Sequence, residues 1–130
     1  RSAIYKAHPE VKSIIMAKPA SIMGFAVTHT EIDSRTIPES FIAMRTVKNL
    51  PYGSTINDAD KVVNEITSSS PVLLIENDCV LATGKSVINA FDRLEVAEFT
   101  AETIINAKPL GNVVMITDEE IELVRTTFCM

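Results

Sequence analysis

Apolar and polar positions alternate in short blocks along the chain, and each block has the length of one strand or one helix. Residues 11–17 are mostly apolar with β-branched character, which predicts a strand. Residues 72–76 and 79–83 are two further apolar runs. The polar pair between them, Asn77 and Asp78, predicts a tight hairpin because both residue types tolerate positive φ.

Apolar residues with helical spacing fill most of the chain between and beyond these strands. They predict the end of a helix over residues 2–7 and five helices that begin at or near Pro19, Pro38, Asn57 or Asp58, Ser86 and Thr117. The helix that begins at Ser86 is the longest and extends to about Lys108. Its apolar stripe predicts a buried face made of Val87, Phe91, Leu94, Ala101 and Ile105, with Ala90, Ala97 and Ile104 beside it.

The end of the chain predicts one more strand, which precedes the last of these helices. Residues 113–116 are apolar and follow the turn residues that end the long helix, so they predict a last strand. Thr117 and Glu120 form the pattern of a capping box, which opens the final helix. The predicted buried side of that helix is Ile121, Val124 and Phe128. Strands alternate with helices throughout, which favours an α/β fold with helices on both faces of a sheet.

Composition excludes several classes of protein. Of the 130 residues 46% are hydrophobic and 22% charged, as in ordinary globular domains. The net charge is −5 and the basic residues are scattered, which argues against nucleic-acid binding. The apolar runs are far shorter than the roughly 20 residues that span a bilayer, so we expect no membrane partner. Two cysteines without a disulfide or metal spacing indicate a reducing, cytoplasmic location.

Residues 5–19 carry the first half of a resemblance to a known family. They read Y-K-A-H-P-E-V-K-S-I-I-M-A-K-P. The segment is similar to a stretch of the class II aldolase/adducin family, roughly Y-x-x-R-P-D-V-x-A-V-I-H-T-H-S, in which two histidines follow a strand. On this alignment Met16 and Lys18 stand at the two histidine positions.

Residues 74–91 carry the second half. They read L-I-E-N-D-C-V-L-A-T-G-K-S-V-I-N-A-F and resemble the family's L-L-x-N-H-G-V-L-x-x-G-x-x-L-x-E-A-F. Asp78 takes the place of a third histidine, and Cys79 takes the place of a glycine. Between the two segments, residues 50–53 match the family's V-P-Y-G turn.

The resemblance implies a fold, a partial domain and a lost metal site. It implies a three-layer α/β/α arrangement with a central, mostly antiparallel sheet. Residues 1–130 correspond to the back two thirds of the domain, without the N-terminal part that carries the phosphate loop. Members related to fuculose- and rhamnulose-phosphate aldolases hold zinc with three histidines and cleave ketose phosphates. Partners implied by the family are other copies in a homo-oligomer or a second aldolase-like domain.

The three replacements are poor zinc ligands. Met16 offers a thioether, Lys18 is cationic at pH 7, and Asp78 alone cannot complete a site. We therefore predict a degenerate metal site with no bound cofactor and no catalytic residue of its own. Lys18 and Asp78 can instead form an ion pair across the old site, and Met16 is most simply core filler. Cys79 is interpreted as structural, because no histidine lies nearby in sequence to activate it.

Residues 30–45 are the second unusual region, because charged side chains crowd into a short window beside the expected cleft. Arg35 can bind a phosphate or carboxylate, with Glu39 as its carboxylate partner or as a base. The alternative is an Arg–Glu network that only fixes a loop. Asn77 is a further possible contact for a sugar-phosphate ligand. His29 and His8 are interpreted as surface or turn residues.

Two functions follow from these observations. The first is an aldolase-family domain whose degenerate zinc site makes it inactive by itself and dependent on a partner or a neighbouring domain. The second is a non-catalytic assembly or ligand-sensing module on the same fold.

Overall fold

The computed structural model describes residues 1–128 and 130, and one four-stranded sheet lies at its centre. The strands follow the spatial order β1-β4-β3-β2. Their bounds are Ser13–Ala17 (β1), Lys48–Leu50 (β2), Val72–Ile75 (β3) and Cys79–Gly84 (β4). Strand β4 pairs antiparallel with both β1 and β3, whereas β2 runs parallel to β3. The sheet is therefore mostly antiparallel, as expected.

Seven helices surround this sheet within the described residues. They are Ser2–Ala7 (α1), Ala20–Val27 (α2), Pro38–Met44 (α3), Ser54–Asn57 (α4), Ala59–Glu65 (α5), Val87–Ala107 (α6) and Asp118–Thr127 (α7). No helix in the described part of the chain is long and apolar enough to cross a membrane.

Helices cover both faces of the sheet because its two central strands alternate between two hydrophobic cores. One face packs against α2, α3 and α6, and its strand residues are Val72, Leu74, Val80 and Ala82. The other face packs against α1 and α5, and its strand residues are Leu73, Ile75, Cys79 and Leu81. Neighbouring strand residues point to opposite faces, so fully apolar strands fill both cores. The predicted three-layer α/β/α fold is confirmed.

Glu98 on α6 fixes the start of α2. Pro19 precedes that helix, and no side chain of its own segment caps it. The Glu98 carboxylate accepts hydrogen bonds from the backbone N–H groups of Ser21 (3.0 Å) and Ile22 (2.8 Å). It thereby satisfies donors that a helix start leaves free and adds negative charge where the helix dipole favours it. Lys18 lies two residues before α2, so the same contact helps to place it.

Gly84 allows α6 to approach the end of β4. A Cβ atom at this position would lie 2.5 Å from the backbone nitrogen of Ala90 and 2.8 Å from Asn89 Oδ1. Both atoms belong to the first turn of α6, whose cap is the Ser86 side chain accepting from the N–H of Asn89. The strand-to-helix turn therefore requires glycine for space rather than for an unusual φ.

Two predicted strand assignments need correction. Residues 112–117 form neither strand nor helix, so the predicted strand at 113–116 is wrong. The Ile116 N–H donates instead to the Arg35 carbonyl at 2.8 Å, which ties the segment to a loop rather than to the sheet. Strand β2 was not predicted, because Lys48 and Asn49 are polar and Pro51 follows at once.

The phase of the long helix also differs from the prediction. Its buried residues are Ala90, Leu94, Ala97, Thr100 and Ala101. Of the predicted face, Val87, Phe91 and Ile105 are exposed. The small residues on the buried face let the helix axis approach β4 closely. The larger apolar side chains therefore lie outside this contact and are exposed. Phe128, predicted to be buried at the end of α7, is also exposed.

Candidate functional site

Lys18 and Asp78 meet where β1 ends and the β3–β4 hairpin turns. Ala17 pairs with Val80 in the antiparallel register, so the residues just beyond this pair are brought side by side. Lys18 Nζ lies 3.1 Å from Asp78 Oδ1 and also donates to the backbone carbonyl of Asp78. The ion pair expected between these two residues is therefore present.

This pair does not suit zinc. An ammonium group offers no lone pair to a metal and repels a cation, and its neighbouring carboxylate is already engaged. Within the described residues, no group of three or more His, Cys, Asp or Glu side chains is placed to hold a metal ion. The zinc ion that the family resemblance implies thus does not fit the side chains present at these positions, which are Met16, Lys18 and Asp78.

Met16 is not buried in a core, so its interpretation as core filler is wrong. Its residue is 37% exposed, and it lines an apolar cavity of about 180 Å³ together with Ile14 and Leu81. The cavity lies on the sheet face that α1 and α5 cover. Met16 therefore contributes an apolar wall rather than a ligand.

His29 adds a third titratable group beside the hairpin. Its Nε2 lies 2.6 Å from Asn77 Oδ1, and its Nδ1 lies 3.9 Å from Glu76 Oε2. Both His29 (φ 53°) and Asn77 (φ 59°) occupy the left-handed region, where non-glycine residues are uncommon. The interpretation of His29 as a surface residue is confirmed. Its contact with Asn77 was not predicted, because 48 residues separate the two and no local pattern links them.

Cys79 is buried directly beside Asp78. Burial is the main cause that raises the pKa of its thiol to about 11. The Asp78 carboxylate raises the pKa further, and the Lys18 ammonium partly opposes that effect. A thiol of this kind is almost wholly protonated at pH 7, so it is a poor nucleophile. Cys79 lies in the hydrophobic core, where the structural interpretation places it.

Arg35 and Glu39 do not pair with each other. Arg35 Nη1 lies 2.8 Å from Asp118 Oδ1, and its Nε lies 3.6 Å from Asp33 Oδ1. Glu39 is exposed in the first turn of α3. The loop-fixing network exists, but its acidic members are two aspartates rather than Glu39. It joins the loop before α3 to the start of α7.

The comparisons with known proteins agree with the fold. The family model described as "Class II Aldolase and Adducin N-terminal domain" matches residues 2–105. A comparison with curated proteins finds no significant relative. Solved structures similar to this chain include an L-fuculose 1-phosphate aldolase, with a TM-score of 0.74 and 23% identity over 97% of this chain and 59% of that one.

Two further solved structures are also similar to this chain in fold. The L-fuculose 1-phosphate aldolase from Glaciozyma antarctica has a TM-score of 0.77 and 18% identity, over 97% of this chain and 48% of that one. The sugar-phosphate aldolase from Thermotoga maritima has a TM-score of 0.70 and 22% identity, over 85% and 53%. At these identities the likeness shows the fold alone. This chain spans less than two thirds of the length of each of these structures.

Proposed function

Because the chain belongs to the class II aldolase and adducin family, we propose that it is a domain of that family whose own zinc site is degenerate. In this proposal residues 1–130 are the back two thirds of a sugar-phosphate aldolase-like domain in a cytoplasmic protein. The domain does not cleave a ketose phosphate by itself. It works with other copies of the chain, or with a second aldolase-like domain that holds the metal.

The ion pair between Lys18 and Asp78 is the observation that carries this proposal. Zinc would have to displace the ammonium from the carboxylate, and it would gain only one oxygen ligand in exchange. Met16 stands at the remaining histidine position, and its thioether is a weak ligand for zinc. The pair also closes the end of β1 onto the hairpin, so it preserves the local geometry of the site without a metal.

A non-catalytic assembly or ligand-sensing module is the second candidate. The exposed apolar side chains of α6 favour assembly: Ile88 is 74% exposed, Phe91 49% and Phe99 52%. Residues 88, 91 and 99 follow helical spacing and lie away from the core that α6 shares with the sheet. A helix face of this kind is typical of a surface that another copy or domain covers.

Metal content tests the degenerate site. We would incubate the chain with excess zinc, remove loosely bound metal and determine zinc by elemental analysis. We expect well under one zinc per chain. A variant carrying Met16→His, Lys18→His and Asp78→His is the positive control, and we expect it to retain close to one zinc. Near-stoichiometric zinc in the unaltered chain would overturn the proposal.

An assay of aldol cleavage tests the claim that the domain is not catalytic by itself. A ketose 1-phosphate such as L-fuculose 1-phosphate is the natural probe, because structures with this fold carry that activity in their names. We expect no cleavage by the chain with or without zinc. Cleavage that follows zinc addition to the unaltered chain would assign the chemistry to this copy of the domain.

A further inference from the structure

Three cationic side chains surround a cavity at the end of β4 that lies away from Lys18 and Asp78. The cavity has a volume of about 310 Å³, and its cationic lining residues are Arg45, Lys85 and Arg93. Thr67, Ser68 and Asn89 add hydroxyl and amide groups to the wall. Asp78 and Gly84 stand at opposite ends of β4, so about 20 Å separates this cavity from the ion pair.

Arg93 is held rigidly in the wall. Its Nη1 donates to the Thr83 carbonyl at 2.8 Å, and its Nε donates to the Ala43 carbonyl at 3.2 Å. These bonds use two of the five N–H donors of the guanidinium group. The remaining donors belong to a partly buried guanidinium group that these two bonds hold in place, and a fixed planar group favours bidentate recognition of an anion.

The positive charge around the cavity is not neutralised by the chain. Within the described residues, no carboxylate lies within 4.0 Å of the charged nitrogens of Arg45, Lys85 or Arg93. The acidic lining residue is Glu10, whose Oε1 lies 3.5 Å from His8 Nδ1. Burial, and after it the charge of Arg45, lowers the pKa of Arg93. The like charges of Arg45 and Arg93 thus face one cavity, and its acidic lining residue, Glu10, forms an ion pair with neither of them.

Arg45 stands in a backbone conformation that suits glycine. Its φ is 48° and its ψ is −115° at the end of α3, where its N–H donates to the Phe41 carbonyl at 2.8 Å. Side chains are strained in this region, and such strain concentrates at functional sites. A glycine would adopt the same backbone conformation at a lower conformational free energy, but it would remove one cation from the cavity.

We propose that this cavity binds a phosphate group, either inorganic phosphate or the phosphate of a small phosphomonoester. Two guanidinium groups, one ammonium and the Glu10 carboxylate sum to a charge of +2, which matches a phosphate dianion, and the cationic groups suit its several acceptor oxygens. The hydroxyl and amide groups of Thr67, Ser68 and Asn89 in the same lining suit the remaining oxygens. The inference does not depend on the degenerate zinc site, because it uses other residues at the other end of the strand.

Titration with inorganic phosphate tests the proposal directly. We would follow backbone amide chemical shifts of the chain while phosphate replaces chloride at constant ionic strength. We expect saturable shifts that centre on residues 83–89 and 43–46, with a Kd of about 1 mM or tighter. A second titration with glycerol phosphate distinguishes a preference for a monoester from a preference for the free ion.

Two variants and one matched control make the result specific. Arg45→Gly removes a cation and relieves the strain of the backbone at this position. We expect it to weaken phosphate binding by about tenfold or more, since a charge-assisted bond is lost. Lys85→Ala removes an exposed cation before α6, and we expect a weaker effect in the same direction. Lys108→Ala removes an exposed cation at the other end of α6, about 30 Å away, and should leave the Kd unchanged.

Three results would overturn the proposal. They are the absence of saturable shifts, shifts that scatter over all basic residues, and an equal effect of Lys85→Ala and Lys108→Ala. The last two would mean that phosphate responds to net charge rather than to this cavity. Arg93 is left unaltered in the test because its two bonds to carbonyl groups also support the fold.

Discussion

Lys18 and Asp78, which are 60 residues apart in sequence, join the end of β1 to the β3–β4 hairpin through a contact of 3.1 Å between Nζ and Oδ1. The Lys18 side chain is 66% exposed and that of Asp78 is 28% exposed. An ion pair this exposed to water contributes little to the free energy of folding, because solvent screens it and two flexible side chains must be ordered.

We therefore expect a small coupling energy between these two residues. A double-mutant cycle with Lys18→Met and Asp78→Asn, measured by urea unfolding, should give about 1 kcal/mol or less. Added salt should reduce that value further. A coupling of several kcal/mol would mean that the pair is a main support of the fold rather than a weak contact near the surface.

Glu98 should matter more for stability, because it alone caps α2. Replacing Glu98 with alanine leaves the N–H groups of Ser21 and Ile22 without their acceptor, at an expected loss of about 1–3 kcal/mol. Glu102→Ala, one turn further along the exposed side of the same helix, is the control and should change the free energy of unfolding by no more than about 0.5 kcal/mol. Equal losses for the two variants would show that the cap contributes nothing specific.

The hairpin and strands β1, β3 and β4 could be predicted from the sequence, because their signals are local. Two apolar runs with Asn77 and Asp78 between them predict the turn, and β3 and β4 appear where those runs lie. The positions of Lys18 and Asp78 followed from the family pattern, and the ion pair followed from their opposite charges. Strands buried on both faces leave few alternatives for such segments.

The remaining features depend on contacts between distant residues. Hydropathy favours Phe91 as a buried residue of α6, but close packing against β4 buries the small Ala90 and Ala97, which were predicted beside the stripe, and leaves Phe91 exposed. Residues 113–116 are apolar enough for a strand, yet the sheet ends at β1 and β2 within the described residues, and no ladder is formed there. The contact between His29 and Asn77 has no signal in either segment alone.

The two glycines at positions 84 and 24 should respond in opposite directions to alanine. Gly84→Ala places a methyl group 2.5 Å from the Ala90 backbone nitrogen, so α6 must move, and we expect a loss of about 1–3 kcal/mol. Gly24 lies inside α2 with nothing within 4 Å of an added Cβ. Gly24→Ala should therefore stabilise the chain by about 0.5–1 kcal/mol. Thermal unfolding measures both, and a harmless Gly84→Ala would refute the close approach of α6.

Cys79 should resist alkylation in the folded chain. Its pKa of about 11 means that little thiolate exists at pH 8, and its burial blocks the reagent. In a Cys129→Ser background, labelling by iodoacetamide should become fast only after unfolding. Because the folded pKa is raised, the stability linked to this thiol is complete below its unfolded pKa and is lost as pH rises towards 11. Rapid labelling of the folded chain at pH 8 would contradict this.

Variants of Arg45 measure the free-energy cost of the strained turn independently of phosphate binding. With φ at 48°, a non-glycine residue here costs about 1–3 kcal/mol, whereas glycine adds about 0.5–1 kcal/mol of unfolded-state entropy. Arg45→Gly should therefore stabilise the chain by up to about 2 kcal/mol in phosphate-free buffer. Arg45→Ala removes the same charge but keeps the strain, so it should not be stabilised to the same extent. If the two variants unfold at the same temperature, relief of charge repulsion with Arg93 rather than of backbone strain accounts for the change.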